Sequence, residues 1–335
     1  MKIGGMKTLF TGLLCGVFMI SGFWIAAQAQ AATTLTLAHV YPAKDVRGQT
    51  AAYWAKLVQT KTGGQVKVRV HPGGELIGGK ELFGSTASGA VDSCLISSSY
   101  FTGEVPEIEL FVLPLLPPSI TQEDYWNTWR NNRSFWSTTI GKRGCQPLLA
   151  VPTGSFAVVV SRVPLRQVAD FKGRKIRVAG GKVLPKSVEL FGASPARVDA
   201  AEIYPALQHG AIDGCLTVEE TYITESLHEV APYLTKCRWY GSVNFILINP
   251  KSWAKLTPDQ QKAVTSASEE AEAWGGKLTL EEGEIAAKKC RAKAKEYYVP
   301  SQEEQAKWFK MAEPLWKGWA AGIPDGQKLL GLLLK

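Results

Sequence analysis

The stretch TPDQQKAVTSASEEAEAWGGKLTLEEGEIAAKKCRAKAK, Thr257 to Lys295, decides how the rest of the chain is read. Its threonine suits an N-cap, and Pro258 takes the first helical position, where a missing N–H costs no hydrogen bond. Asp259 supplies the acid that a first turn favours. From there the helical pattern runs nearly unbroken to Lys295, far beyond the common helix length of about 11–12 residues. A helix this long is predicted to cross between two domains rather than to lie on one.

Outward from it, both flanks read as α/β. Val243 to Ile248 is strand-like. Towards the N-terminus, Leu35-Thr36-Leu37-Ala38-His39 reads as a strand, followed by a helix carrying Trp54, Leu57 and Val58 that stops at Gly63-Gly64. Val66-Lys67-Val68-Arg69-Val70 alternates and reads as the next strand. Strand, helix and strand within about forty residues predict a parallel βαβ unit. The pattern continues with a helix over 80–88, a strand over 91–96 and a Pro-rich turn at Leu113 to Pro118. A second α/β segment opens at Val158-Val159-Val160, continues with a turn into a strand over 171–178, and adds helices near 185–191 and 201–209. No repeat and no low-complexity linker is visible, so short crossing strands are predicted to join the domains.

The first 31 residues have the layout of a secretory signal peptide. Lys2 and Lys7 precede an apolar stretch from Leu9 to Ala27, and Ala27-Gln28-Ala29 and Ala29-Gln30-Ala31 offer cleavage sites. The apolar stretch is long enough that an uncleaved anchor is the alternative. Residues 1–31 carry two lysines and no acid, so cleavage lowers the net charge from +8 to +6. The basic residues are scattered, without a polybasic tract, and nucleic acid is not an expected partner. Five cysteines remain, Cys94, Cys145, Cys215, Cys237 and Cys290; an odd number leaves at least one unpaired, and Cys215 with Cys237 is one conceivable bridge. None forms a CxxC, so no metal or redox centre is expected.

Catalytic machinery is not visible. The histidines His39, His71, His209 and His228 sit in no recognisable constellation, and HExxH, a GxSxG elbow, a Walker loop and a calcium loop are all missing. The glycine pairs Gly73-Gly74, Gly78-Gly79 and Gly180-Gly181 lack dinucleotide-fingerprint spacing and read as turns. No enzyme activity and no cofactor is expected.

The second half carries a specific pattern. GRKIRV (Gly173 to Val178) is followed by GASPARVDAAEIYPALQHGAIDG (Gly192 to Gly214). This resembles the signature of the DctP-type TRAP transporter solute-binding proteins, with Arg177, Gly192-Ala193-Ser194-Pro195, Glu202, Tyr204, Ala206, Leu207, Gln208, Gly210, Asp213 and Gly214 in the expected places. Thr62 to Gly79, Ser88 to Asp92, Leu113-Pro114 and Trp253 to Gln261 agree, so the likeness covers nearly the whole mature chain. It implies a two-domain periplasmic-binding-protein fold with hinge strands and a long bridging helix. Residues 32–153 with 243–282 would form one α/β domain, and residues 154–242 with 283–335 the other.

The likeness further implies a monomer in the periplasm that closes on a small organic acid and hands it to integral-membrane TRAP permease subunits. Binding proteins of the same architecture also serve ABC importers and sensor kinases, and a secreted enzyme is the reading from a different class. Arg177 is the implied carboxylate anchor, because a planar guanidinium offers two parallel donors where lysine offers a point charge. A neighbouring acid such as Glu219 is the competing partner for it. Where the sialic-acid-binding branch carries a glutamate and an arginine, this chain has Ser97 and Tyr100. That branch's second arginine falls at Phe156, a pocket phenylalanine at Ala200 and an asparagine at Thr217. His39 and Asn244, with Trp239 and Tyr240, are further candidates. One retained arginine among neutral groups predicts a monocarboxylate with an apolar or aromatic body over a polyhydroxylated sugar acid. Glu202, Tyr204 and Asp213 are expected to be scaffold.

Overall fold

A computed structural model describes Met1 and residues 32–334; the signal-peptide reading lies outside the described residues. The strands are β1 (Thr33–Ala38), β2 (Val66–His71), β3 (Ser93–Ser97), β4 (Gln146–Pro152), β5 (Val158–Ser161), β6 (Lys175–Val178), β7 (Ser194–Arg197), β8 (Gly214–Thr217), β9 (Tyr233–Thr235), β10 (Val243–Ile248) and β11 (Glu296–Tyr298). They form two sheets, ordered β2-β1-β3-β10-β4 and β11-β9-β5-β8-β6-β7. β1 runs parallel to β2 and β3, as the βαβ pattern predicts, and β10 is antiparallel to β3 and β4. In the second sheet β6 lies parallel between β7 and β8, while β5 is antiparallel to β8 and β9.

The chain therefore leaves the first sheet after β4, returns to it as β10, and leaves again along the long helix. The first two crossings, residues 153–157 and 236–242, pair with each other. Thr153 N–H donates to Ser242 O at 3.0 Å, Ala157 N–H to Tyr240 O at 2.8 Å, and Trp239 N–H back to Ala157 O at 2.8 Å. Paired backbone of this kind is stiffer than a tether and still able to bend at one place.

The long helix spans Pro258–Lys293, with Thr257 as N-cap in a reciprocal capping box with Gln260. Its first half packs on the first sheet: Trp54 Nε1 donates to Ser268 Oγ at 2.9 Å, and Glu272 accepts from Ala150 N at 2.9 Å and Trp129 Nε1 at 3.0 Å. Further along, Cys290 Sγ meets Glu219 O at 3.3 Å in the second half of the molecule. Between these, Gly283 lies against the first crossing so closely that a Cβ there would collide with the backbone of Gly154. The second helix that spans both halves, Gln302–Gly322, was not legible beforehand. Its Trp308 packs among Phe171, Phe191 and Trp239, while Trp316 and Trp319 donate to Pro114 O at 2.6 Å and Pro106 O at 3.2 Å.

All five cysteines of the described residues are buried and free, Cys215 and Cys237 included. Asp213 is scaffold, its carboxylate accepting from Lys175 N at 2.8 Å, and Tyr204 donates to Glu229 at 2.9 Å. Glu202 is the acid in the first turn of the short helix Ala200–Glu202, exposed and without a side-chain capping bond to the following helix Ile203–Gln208.

Candidate ligand site

Side chains at the carboxyl ends of parallel strands converge in an α/β fold, because loops there leave a crevice that helices cannot fill. Here the residues following β1, β3, β6, β7 and β8 meet around one cavity of about 60 Å³ between the two sheets.

Arg177 is its centre. β6 is flanked on both sides, so the side chain leaves the sheet interior already enclosed, 3% exposed. Its Nε donates to Val198 O at 2.8 Å, Nη1 to Leu216 O at 3.3 Å and Nη2 to the Tyr100 hydroxyl at 3.2 Å. Among the described residues no carboxylate lies within ion-pair reach of it. Glu219, the competing partner, is elsewhere: it pairs with Lys236 at 3.2 Å and accepts from Tyr297 OH at 2.5 Å. Burial works against the charge on Arg177, but the Tyr100 and Tyr240 oxygens and Cys215 more than offset it, and the guanidinium stays protonated.

The structure brings Ser97, Tyr100, Ala200 and Thr217 to the same cavity as Arg177. Ser97 belongs to a hydroxyl cluster, with Ser99 Oγ at 2.9 Å and Ser242 Oγ at 2.8 Å. Phe156 is not there; it lines a separate cavity beside the crossings. His39 and Asn244 stand behind the wall rather than in it. Asn244 Oδ1 accepts from the hydroxyl of Tyr41, a lining residue, at 2.8 Å, and His39 Nδ1 accepts from Tyr41 N at 3.3 Å. Burial holds the His39 imidazole down at about 4, so it is neutral at ordinary pH. Trp239 is a core aromatic, whereas Tyr240 lines the cavity.

Sequence reasoning missed Tyr41 and Arg47. Arg47 is a second lining guanidinium, but Asp45 holds it bidentately, Nε to Oδ1 and Nη2 to Oδ2, both at 2.7 Å. It also stacks on Tyr41 at 3.9 Å and donates to Thr221 across the cavity at 3.1 Å. Burial alone would raise the Asp45 carboxyl; Arg47 outweighs it and holds the carboxyl below the usual range. The signal that could have found both is position, since they follow the carboxyl end of β1. Glu225 is the one acid lining the cavity among the described residues, its carboxyl raised by burial and then by Asp45.

Enclosed donors, one uncompensated cation, hydroxyls, and no cluster of metal-ligating residues among those described define a receptor for a small anionic molecule. Residues 37–322 match the family of bacterial extracellular solute-binding proteins, family 7 (DctP), and the chain belongs to that family. Members of this family are solute-binding receptors and not enzymes. Uncharacterized protein YiiZ of Salmonella typhimurium is 30% identical over 309 residues, covering 90% of each chain. The C4-dicarboxylate-binding periplasmic protein DctP of Rhodobacter capsulatus is 26% identical over 294 residues, covering 84% of each. Among solved structures, DctP7 of Bordetella pertussis, an extracytoplasmic solute receptor binding pyroglutamic acid, superposes with a TM-score of 0.85 at 20% identity, over 91% of this chain and 100% of that one. A TRAP periplasmic solute-binding protein of Sulfurospirillum deleyianum with bound succinate gives 0.83 at 24% identity, over 91% and 99%. At these identities the structural likeness establishes the fold.

Proposed function

We propose that this protein captures a short-chain monocarboxylate at Arg177 in the periplasm, closes its two halves over it, and delivers it to a TRAP-type membrane permease. The carrying observation is the buried guanidinium of Arg177 with no acid beside it. Burying an ion without a counter-charge costs several kcal/mol after relaxation, roughly what a bound carboxylate returns. The neighbours' ligands, pyroglutamic acid, orotic acid, succinate and glucuronate, share a carboxyl group, which supports the same chemistry here.

Size narrows the class. The cavity beside Arg177 is small, about 60 Å³. That favours a compact acid over a sugar acid or an acid with an aromatic body. Bending is assigned to residues 153–157 and 236–242, which would let 32–153 with 243–282 move against 154–242 with 283–335, the protein acting as a monomer freed of residues 1–31. Calorimetric titration of the mature protein with propionate, lactate, pyruvate, succinate and glucuronate tests the reading. The three short monoacids should bind tightest; a preference for succinate or glucuronate, with the short acids inert, would sink it.

A further inference from the structure

The largest cleft beside the crossings is not the Arg177 cavity. A second one, of about 440 Å³, lies where residues 154–156 and 236–238 pass the long helix. Four observations make it a built site. Arg238 lines it with its backbone in the left-handed region, φ 52°, which a non-glycine residue adopts only at a cost. That guanidinium lies over Phe156 at 3.9 Å and donates to Ile120 O, yet its Nε is buried without a partner, and no carboxylate reaches it among the described residues.

Gln122, also lining the cavity, is 6% exposed with neither its amide nitrogen nor its amide oxygen paired. A buried, unpaired carboxamide is rare enough to require an explanation. On the same wall Glu123 and Glu284 are exposed and form no ion pair, although Arg238 lines the same space. The remaining charges, Lys236 and Glu219, form an ion pair at 3.2 Å. Two acids and one cation thus face one cavity too far apart to neutralise one another. Beside them stand Leu280 and Val299, the latter 47% exposed.

Separated charges of both signs with an apolar wall fit a ligand that carries both signs itself. We propose that this cavity is a second binding site, for an α-amino acid with an apolar side chain: carboxylate on Arg238, ammonium on Glu123 and Glu284, side chain on Leu280 and Val299. The occupant would touch both crossings and the long helix, so it would sit on the segments assigned to bending.

Titration with L-phenylalanine tests this, with 3-phenylpropionate and phenethylamine as probes that each lack one charge. Phenylalanine should bind the wild type at one site and bind Arg177→Ala equally well. Binding should weaken at least about tenfold in Arg238→Gln and in the double variant Glu123→Gln/Glu284→Gln, and for either single-charge probe. The two glutamates are exposed, so the double variant keeps the test valid should Arg238→Gln fail to fold. No saturable binding by the wild type, loss of binding in Arg177→Ala, or equal affinity for 3-phenylpropionate would each overturn the proposal.

Discussion

Replacing Arg177 by methionine separates the ligand's demand for this residue from the fold's. In the free protein the guanidinium makes three hydrogen bonds, to Val198 O, Leu216 O and Tyr100 OH. Bonds from a charged donor contribute about 1.5–3 kcal/mol each, against a desolvation penalty of several kcal/mol for a lone buried ion. The two nearly cancel, so the apo protein should change by no more than about 2 kcal/mol, and Tm by a few degrees. Ligand binding has no such cancellation. A buried carboxylate deprived of its partner loses about 3–5 kcal/mol, which is about 150- to 4,000-fold in Kd. Calorimetry with the tightest short acid, alongside thermal unfolding of the apo protein, reads both. A variant with intact Tm and a Kd within about tenfold of wild type would refute the assignment of Arg177 as the anchor.

Tyr100→Phe removes the hydroxyl that Arg177 reaches across the cavity at 3.2 Å, and titration should show Kd weakened by up to about tenfold, the 0.5–1.5 kcal/mol of one hydrogen bond. His39 sets a pH dependence: burial holds its imidazole at about 4, below the ordinary histidine value of 6.5. Because the folded value lies below the unfolded one, this contribution is present above pH 6.5 and is lost as pH falls towards 4, about 3 kcal/mol in all. His39→Gln should flatten that loss in denaturant titrations run across the window, while the raised carboxyls, which act in the opposite direction, stay common to both proteins. Gly283→Ala drives a methyl into the Gly154 backbone and should cost about 1–3 kcal/mol or more, whereas Gly318→Ala, with open space at its Cβ, should gain about 0.5–1 kcal/mol by thermal unfolding. Asp45→Asn releases Arg47, and the ratio of malonate to propionate affinity should rise at least about tenfold; an unchanged ratio would contradict the role given to the pair.

What could be read beforehand follows from the range of the physics involved. The long helix was legible because its cap is local: Thr257, Pro258 and Gln260 satisfy the first turn among themselves, and it ends two residues short of the expected Lys295. Val243 to Ile248 matches strand β10 residue for residue, since a fully buried strand is a continuous apolar run. The helix Gln302–Gly322 was missed although its tryptophans stand in the open sequence, because what gives them meaning is distant: Trp308 belongs with Phe171 and Phe191, and Trp316 with Pro114. The pocket divides in the same way. Arg177 was named through a motif, and Ser97 and Thr217 through comparison with the sialic-acid-binding branch. Phe156 sits three residues after Thr153, which lines the Arg177 cavity, on a crossing segment where a small rotation of the chain decides which cavity a side chain faces, and spacing along the sequence does not encode that rotation.

The two lining arginines also bear on the proposal that one negative charge on the ligand is favoured over two. A dicarboxylate needs a second cation, and the other guanidinium on this cavity is Arg47. To release it, the ligand must displace Asp45, whose side chain is 0% exposed and would be left as a lone buried anion. Breaking such a pair costs about 3–5 kcal/mol, as much as the new contact with the ligand would return, and the Arg47 bond to Thr221 across the cavity is lost as well. A monoacid meets no such cost: it takes the one cation that is free and leaves the bidentate pair, with its bridge between the two halves, intact. On the proposed function, selectivity would therefore reside less in Arg177, which any carboxylate can use, than in Asp45, which keeps Arg47 from being used.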